Sequence, residues 1–159
     1  MNAPFFDGRR VLVTGAGGFI GSHLVEALLA RGARVTALLR YGSTANRGHL
    51  SALPETVLPR VTFAFGDVTD AEFIRETVRG HDVVFHLAAL IAIPYSYVAP
   101  RSYVRTNVEG TLNVLEAVRQ TGVPCLVHTS TSEVYGSAQF TPMDETHPLQ
   151  GQSPYSASK

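Results

Sequence analysis

Thr14-Gly15-Ala16-Gly17-Gly18-Phe19-Ile20-Gly21 decides how the rest of this chain is read. The apolar run Val11-Leu12-Val13 precedes it and Ser22-His23-Leu24-Val25-Glu26-Ala27-Leu28-Leu29 follows, so the segment reads as strand, glycine turn, helix. In that setting Gly15 lets the chain leave the strand through a conformation closed to residues with a Cβ. Gly18 lets backbone approach a diphosphate, and Gly21 lets the helix pack closely on the strand. The helix N-terminus, at Phe19 and Ile20, then offers unpaired N–H groups and a partial positive charge. A dinucleotide-binding turn is the expectation. A bare glycine triplet also makes ordinary tight turns; the apolar strand before it and the amphipathic helix after it separate the two readings.

Outward from this turn the chain alternates strand and helix. Strands are expected over residues 9–14, 34–40, 61–65, 82–86 and 124–129, and helices from the glycine turn to about 31, over 71–79 and over 100–120. A short helical piece is expected near 46–52, and residues 91–100, with two prolines, read as a loop. In the long helix Val104, Val108, Leu112, Leu115 and Val118 recur at helical spacing. Strands alternating with helices imply an α/β fold, a doubly wound parallel sheet. The chain stops on Tyr155-Ser156-Ala157-Ser158-Lys159, which reads as a helix just opening, with Ser153 as N-cap and Pro154 at the first helical position. The expectation is therefore the N-terminal part, residues 1–159, of a longer protein.

Composition narrows the function. The 159 residues suffice for one domain with a real core, and 13 basic side chains balance 13 acidic ones, with no stripe dense enough for nucleic acid. Cys125 is the single cysteine and cannot form an internal disulfide, which fits a reducing cytoplasm. Residues 1–10 hold no long apolar stretch of a signal peptide. The near-apolar run 83–93 is interrupted by His86 and too short to span a bilayer. Histidine pairs at metal-ligand spacing do not occur, so no metal is expected. His86, His23 and His128 read as structural, each bonded to a neighbouring backbone group.

The second strand ends on Arg40-Tyr41, where an acid would bind the free ribose 2′-hydroxyl of NAD. No Asp or Glu occurs from Ala27 to Pro54, whereas Arg31, Arg34, Arg40 and Arg47 do. A guanidinium can grip a 2′-phosphate with two parallel bonds, so NADP is expected at Arg40. The alternative is NAD, with Arg40 solvated and the ribose held by backbone and by Ser43 or Thr44. Beyond the fifth strand come Ser130-Thr131-Ser132-Glu133 and, about twenty residues on, Tyr155-x-x-x-Lys159. Positions four apart share a helix face, and a nearby ammonium favours the phenolate. The Thr131 hydroxyl can then orient a substrate alcohol against that phenolate while hydride leaves for a nicotinamide.

The glycine spacing Gly15-x-x-Gly18-x-x-Gly21, Thr131 at the fifth strand's end and Tyr155-x-x-x-Lys159 together resemble the extended short-chain dehydrogenase/reductases, the sugar-nucleotide epimerases and dehydratases. The resemblance covers the whole chain and implies a Rossmann-type NAD(P)-binding domain truncated before its last strands and a smaller substrate domain. It implies that Asp67, followed by Val68, accepts from the adenine amino group, although Asp67 could equally cap the next helix, as Asp70 is expected to do. It implies that Leu87, Ala88 and Ala89 line the cofactor channel. It further implies that Asn107, in Asn107-Val108-Glu109-Gly110-Thr111, supports the active site, rather than being a surface asparagine. A nucleotide-sugar substrate and a homodimer built on the 100–120 helix and the one opening at Tyr155 follow by the same analogy.

Thr131-Ser132-Glu133 is similar to the triplet of GDP-mannose 4,6-dehydratases and of UDP-N-acetylglucosamine 4,6-dehydratase-like enzymes. dTDP-glucose dehydratases carry Asp where this chain has Ser132, and UDP-glucuronate decarboxylases share Thr-Ser-Glu. The expected reaction is 4,6-dehydration: oxidation at carbon-4, loss of water across carbons 5 and 6 with Glu133 as base, and return of hydride, Ser132 acting directly or through water. A 4-epimerase or a decarboxylase is the alternative within the family. A non-catalytic dinucleotide-binding module is the alternative outside it.

Overall fold

The computed structural model describes residues 5–42 and 46–159. Five parallel strands form one sheet: β1 (Arg10–Thr14), β2 (Arg34–Arg40), β3 (Val61–Gly66), β4 (Val83–His86) and β5 (Cys125–His128), in the order β3-β2-β1-β4-β5. Helix α1 (Phe19–Ala30) links β1 to β2 and α2 (Ala71–Val78) links β3 to β4. The chain winds outward to β3, then jumps back across β1 to β4. That reversal opens a crevice at the carboxyl edge between β1 and β4, where ligands of such sheets bind.

Alternation along β1 explains why helices cover both faces. Val11 and Val13 point into one apolar cluster with Val25, Leu28 and Leu29 of α1, all nearly or fully buried. Leu12 points the other way and packs with Leu38, Val84, Ile74 and Val78 of α2, and Val114 and Ala117. Each such side chain contributes roughly 1.5–3 kcal/mol on burial, so β1, apolar on both faces, is the centre of the molecule. Register does the rest: Thr14 lies opposite Leu38 on one side and His86 on the other, and Arg40 opposite Gly66.

Two expectations are corrected beyond β4. Residues 91–100 are not a loop, because Ile93–Val98 forms helix α3 and Pro100–Tyr103 opens α4. Each proline sits in the first turn of its helix, where the missing N–H has no partner to lose. The long helix is not uniform either. Between α4 and α5 (Gly110–Thr121) lies a π-helical stretch, Val104–Glu109, centred near Asn107. Val104, Val108, Leu112 and Leu115 form an outward face, 46–55% exposed, while Tyr103, Asn107, Gly110, Val114 and Ala117 face the interior.

Candidate active site

At the carboxyl edge of the sheet lies a cavity of about 650 Å³, within the range that holds a large organic ligand. Its walls include Gly15, Gly18, Phe19, Ile20 and Gly21 of the glycine turn, Arg40, Asp67 and Val68 beside β2 and β3, Leu87 to Ala89 after β4, and Tyr155 and Lys159. Most of the residues singled out for a cofactor thus share one wall, although they come from distant segments. Asn107 lies behind that wall, and Ser43 falls outside the described residues.

The glycine turn is built as a backbone cradle. Gly15 has φ +67°, a left-handed conformation, and a Cβ there would stand 2.8 Å from Ala88 N and 2.9 Å from Ala88 Cα. A Cβ on Gly21 would stand 2.8 Å from Ala16 Cα, with Gly15 O nearer still. The first site lets β1 and β4 loops touch, and the second seats α1 against the turn. Helix α1 begins without a side-chain cap, its N-cap being Gly18, and carries no acid in its first turn. Its first N–H groups therefore remain for an anion, and the helix dipole favours negative charge there. These features fit the diphosphate of a dinucleotide.

At the adenosine end, Asp67 Oδ1 accepts from the Thr69 N–H (2.9 Å) and the Thr69 hydroxyl (2.8 Å). Oδ2 lies 3.8 Å from Arg40 Nε. Partial burial alone would raise the carboxyl pKa, but the Thr69 bonds and the Arg40 and Arg105 charges outweigh it, so Asp67 titrates below the usual range. It stays an acceptor at neutral pH. Arg40 is 81% exposed, so its pairing is weak and the guanidinium is free to turn to a ligand. Asp70, not Asp67, caps α2, accepting from Phe73 N–H at 3.0 Å. The backbone under Val68 is fixed by Asn113 Nδ2, which donates to Val68 O at 3.0 Å.

The chemical end is assembled on α6 (Pro154–Ala157) and the turn after β5. Ser153 caps α6 through a reciprocal box with Ser156, and Pro154 takes the first turn, as expected from the sequence. Lys159 Nζ donates to Thr129 O at 2.8 Å, and burial lowers the lysine pKa. No hydrogen bond joins that ammonium to the Tyr155 hydroxyl among the described residues; both line the cavity, and α6 ends at Ala157, before Lys159. Thr131 accepts from Glu133 N–H at 3.3 Å and starts the short 3-10 turn Ser132–Tyr135. Thr131 and Ser132 line an adjoining depression that also reaches Lys159, and the Glu133 side chain is exposed beside them.

Asn107 was expected from the resemblance, but its bonds, and the part played by Tyr103, were not foreseen. Asn107 is 3% exposed; its Oδ1 accepts from Leu90 N–H (2.8 Å) and its Nδ2 donates to Leu90 O (3.0 Å) and Ser158 Oγ (2.9 Å). It ties the cavity wall to the segment that carries Lys159. Tyr103 is fully buried, its hydroxyl donating to the carbonyls of Ile91 and Ala92 and its ring meeting that of Tyr155 edge-on at 6.3 Å. The spacing Tyr103-x-x-x-Asn107, which puts both on one helix face, was the available signal. His86 is bonded to two side chains, Thr14 and Thr111, not to backbone as expected. His23 does bond backbone, at Phe19 O.

No helix among the described residues is long and apolar enough to cross a membrane, and no cluster of potential metal ligands is found among them. The sequence model of the family described as "GDP-mannose 4,6 dehydratase" matches residues 12–159. A dTDP-glucose 4,6-dehydratase of Streptomyces griseus is 43% identical over 94% of this chain and 46% of its own length. A UDP-glucose 4-epimerase of Azospirillum brasilense is 37% identical over 94% of this chain and 41% of its own. The chain thus spans about half the length of the curated relatives it matches. Among solved structures, a UDP-N-acetylglucosamine 4-epimerase of Methanobrevibacter ruminantium in complex with UDP-N-acetylmuramic acid superposes with TM-score 0.85 at 32% identity, covering 96% of this chain and 47% of the other. A dTDP-glucose 4,6-dehydratase of Streptomyces venezuelae with NAD bound superposes with TM-score 0.83 at 39% identity, covering 94% and 48%. With fold, cavity and sequence in agreement, this chain belongs to the GDP-mannose 4,6 dehydratase family, among the nucleotide-sugar epimerases and dehydratases of the extended short-chain dehydrogenase/reductases.

Proposed function

We propose that the protein containing this chain is a nucleotide-sugar 4,6-dehydratase. The observation that carries the choice is the turn Thr131-Ser132-Glu133 after β5, where an exposed carboxylate stands two residues from Thr131, and Thr131 and Ser132 line a depression with Lys159. A nicotinamide held in this cavity would supply the hydride acceptor for carbon-4 and the hydride donor for the closing reduction. The chain's own groups handle protons and position. Tyr155 takes the carbon-4 hydroxyl proton, Thr131 orients that hydroxyl, and Lys159 lines the cavity with Tyr155. Glu133 removes the carbon-5 proton, made acidic by the adjacent ketone, and Ser132, directly or through water, helps hydroxide leave carbon-6 as water. An epimerase has no use for a base at Glu133; identity of 37% to a 4-epimerase is what supports that second reading.

The cofactor is NAD(P). Arg40, with no carboxylate from Ala27 to Pro54, supports NADP; the NAD held by the Streptomyces venezuelae relative supports NAD. Asp67 and Val68 would hold the adenine, and Leu87, Ala88 and Ala89 the nicotinamide half. The outward apolar face of Val104, Val108, Leu112 and Leu115 supports a homodimer, checked by the mass of the complete protein in solution. A cytoplasmic setting fits the lone Cys125. The deciding experiment incubates the complete protein with a panel of nucleotide sugars and follows product mass. Loss of one water with a 4-keto-6-deoxy product is expected, and Glu133→Gln should keep oxidation but stop dehydration. Conversion without water loss would refute dehydration; dinucleotide binding with no conversion of any sugar would favour a non-catalytic module.

A further inference from the structure

We propose that His86 is a positioning residue for the dinucleotide: held as the Nε2–H tautomer between Thr14 and Thr111, it fixes the Thr14 hydroxyl so that this oxygen can anchor the Leu87–Ala88 wall of the cavity. The argument is a count of protons and lone pairs. Thr14 is fully buried, and its Oγ1 accepts from two backbone donors, Leu87 N–H at 3.1 Å and Ala88 N–H at 3.0 Å. A hydroxyl has two acceptor sites and one proton. With both sites taken, its proton can only be donated, and His86 Nδ1 lies 2.7 Å away. Nδ1 must then be bare, which places the ring proton on Nε2, where it is donated to Thr111 Oγ1 at 3.0 Å.

The chain of bonds runs from β1 through β4 to α5, and it converges on the point where Gly15 and Ala88 backbones touch. His86 is 1% exposed, stacked on the His128 ring at 5.3 Å. Burial, with lesser repulsion from His128 and Lys159, lowers its pKa to about 3, so the ring stays neutral wherever the protein is folded. A protonated Nδ1 would confront an oxygen with no lone pair left. The Leu87–Ala88 wall would then lose the acceptor that holds it.

This rests on the reading that the cavity holds a dinucleotide, and the test separates the two ideas. In the complete protein, ring ¹⁵N shifts of His86 should report protonated Nε2 and bare Nδ1, unchanged from pH 8 to pH 5; protonated Nδ1, or titration in that range, would overturn the proposal whatever the protein binds. Dinucleotide affinity is then measured for His86→Asn, whose amide oxygen can replace Nδ1, and for His86→Gln and His86→Phe, which cannot supply that acceptor. We expect the Asn variant within about threefold of the parent and the other two about tenfold weaker, as expected for a buried hydroxyl left without its acceptor. Thr14→Val should weaken binding as much alone as together with His86→Phe. Equal behaviour of the Asn and Gln variants, or additive losses in the double variant, would refute positioning through Thr14. Should the variants fail to fold, the tautomer of the parent still decides; a parent that binds neither NAD nor NADP refutes the cavity reading alone.

Discussion

Gly21→Ala sets two effects of known size against each other. Position 21 is the third residue of α1, and alanine there gains about 1 kcal/mol of helix propensity over glycine. The added methyl, however, would meet Gly15 O, Ala16 Cα at 2.8 Å and Gly15 C at 3.0 Å, all backbone of the turn itself. A flexible side chain could swing aside; a glycine turn tied down by Gly18 N–H to Gly15 O at 3.1 Å and Ala16 N–H to Leu38 O at 3.4 Å cannot. Relief must come from moving α1 away from β1, which loosens Val25 and Leu28 in the core. Overpacking of this kind costs about 1–3 kcal/mol and more where backbone is the obstacle, so a net loss of about 2 kcal/mol is expected. Denaturant unfolding measures it, with dinucleotide titration in parallel: affinity should fall because the N–H groups of Phe19 and Ile20 move with the helix. Gly42→Ala, where nothing among the described residues lies within 4 Å, is the control and should change neither quantity. A Gly21→Ala protein as stable as the parent would refute the close seating of α1 on the turn.

Arg40→Gln should weaken NADP binding about tenfold or more and leave NAD unchanged, because a charge-assisted pair to a phosphate is lost; titration of both dinucleotides checks this, and stability should move by less than about 1 kcal/mol, since the Asp67 pair is solvent-exposed. Asp70→Ala should cost about 1 kcal/mol in urea unfolding, with no effect on dinucleotide affinity, through loss of the cap on Phe73 N–H. The depressed His86 pKa means the unfolded chain binds a proton that the folded one refuses between about pH 6.5 and 3. Its contribution to stability is therefore full above pH 6.5 and lost as pH falls toward 3, on the order of 5 kcal/mol at most. Unfolding curves at stepped pH should show a steeper acid limb for the parent than for His86→Asn.

Strands and their order of appearance were legible because β1, β2 and β4 are largely buried apolar runs and β3 a half-buried one, all bounded by Gly, Asp or Pro, and β2 coincides with the expected 34–40. The glycine turn, Ser153-Pro154 at the start of α6 and Asp70 at the start of α2 are local signals, each acting within a few residues, and so could be read directly. What was not legible depends on partners far away. Pro94 and Pro100 read as breakers because only the packed structure shows Ser96 and Tyr103 buried beneath the helices they begin. The periodic valines and leucines of the 100–121 region drew attention to the face that points outward. The inward face is made of Tyr103, Asn107 and Gly110, residues whose value lies in specific bonds and in smallness against Val68, not in hydrophobicity. Likewise the partners of His86 are 72 and 25 residues away, beyond any local pattern.

Ala92 holds a positive φ of 79° without being glycine, and its carbonyl and that of Ile91 are pinned by the same tyrosine whose ring rests against Tyr155. The carbonyls of Ile91 and Ala92 and the ring of Tyr155 are thereby held against one side chain. A change of backbone at residues 91 and 92 therefore reaches Tyr155 through Tyr103. Substitutions at these two positions and at Tyr155 are accordingly coupled, and Tyr103 is where that coupling can be tested.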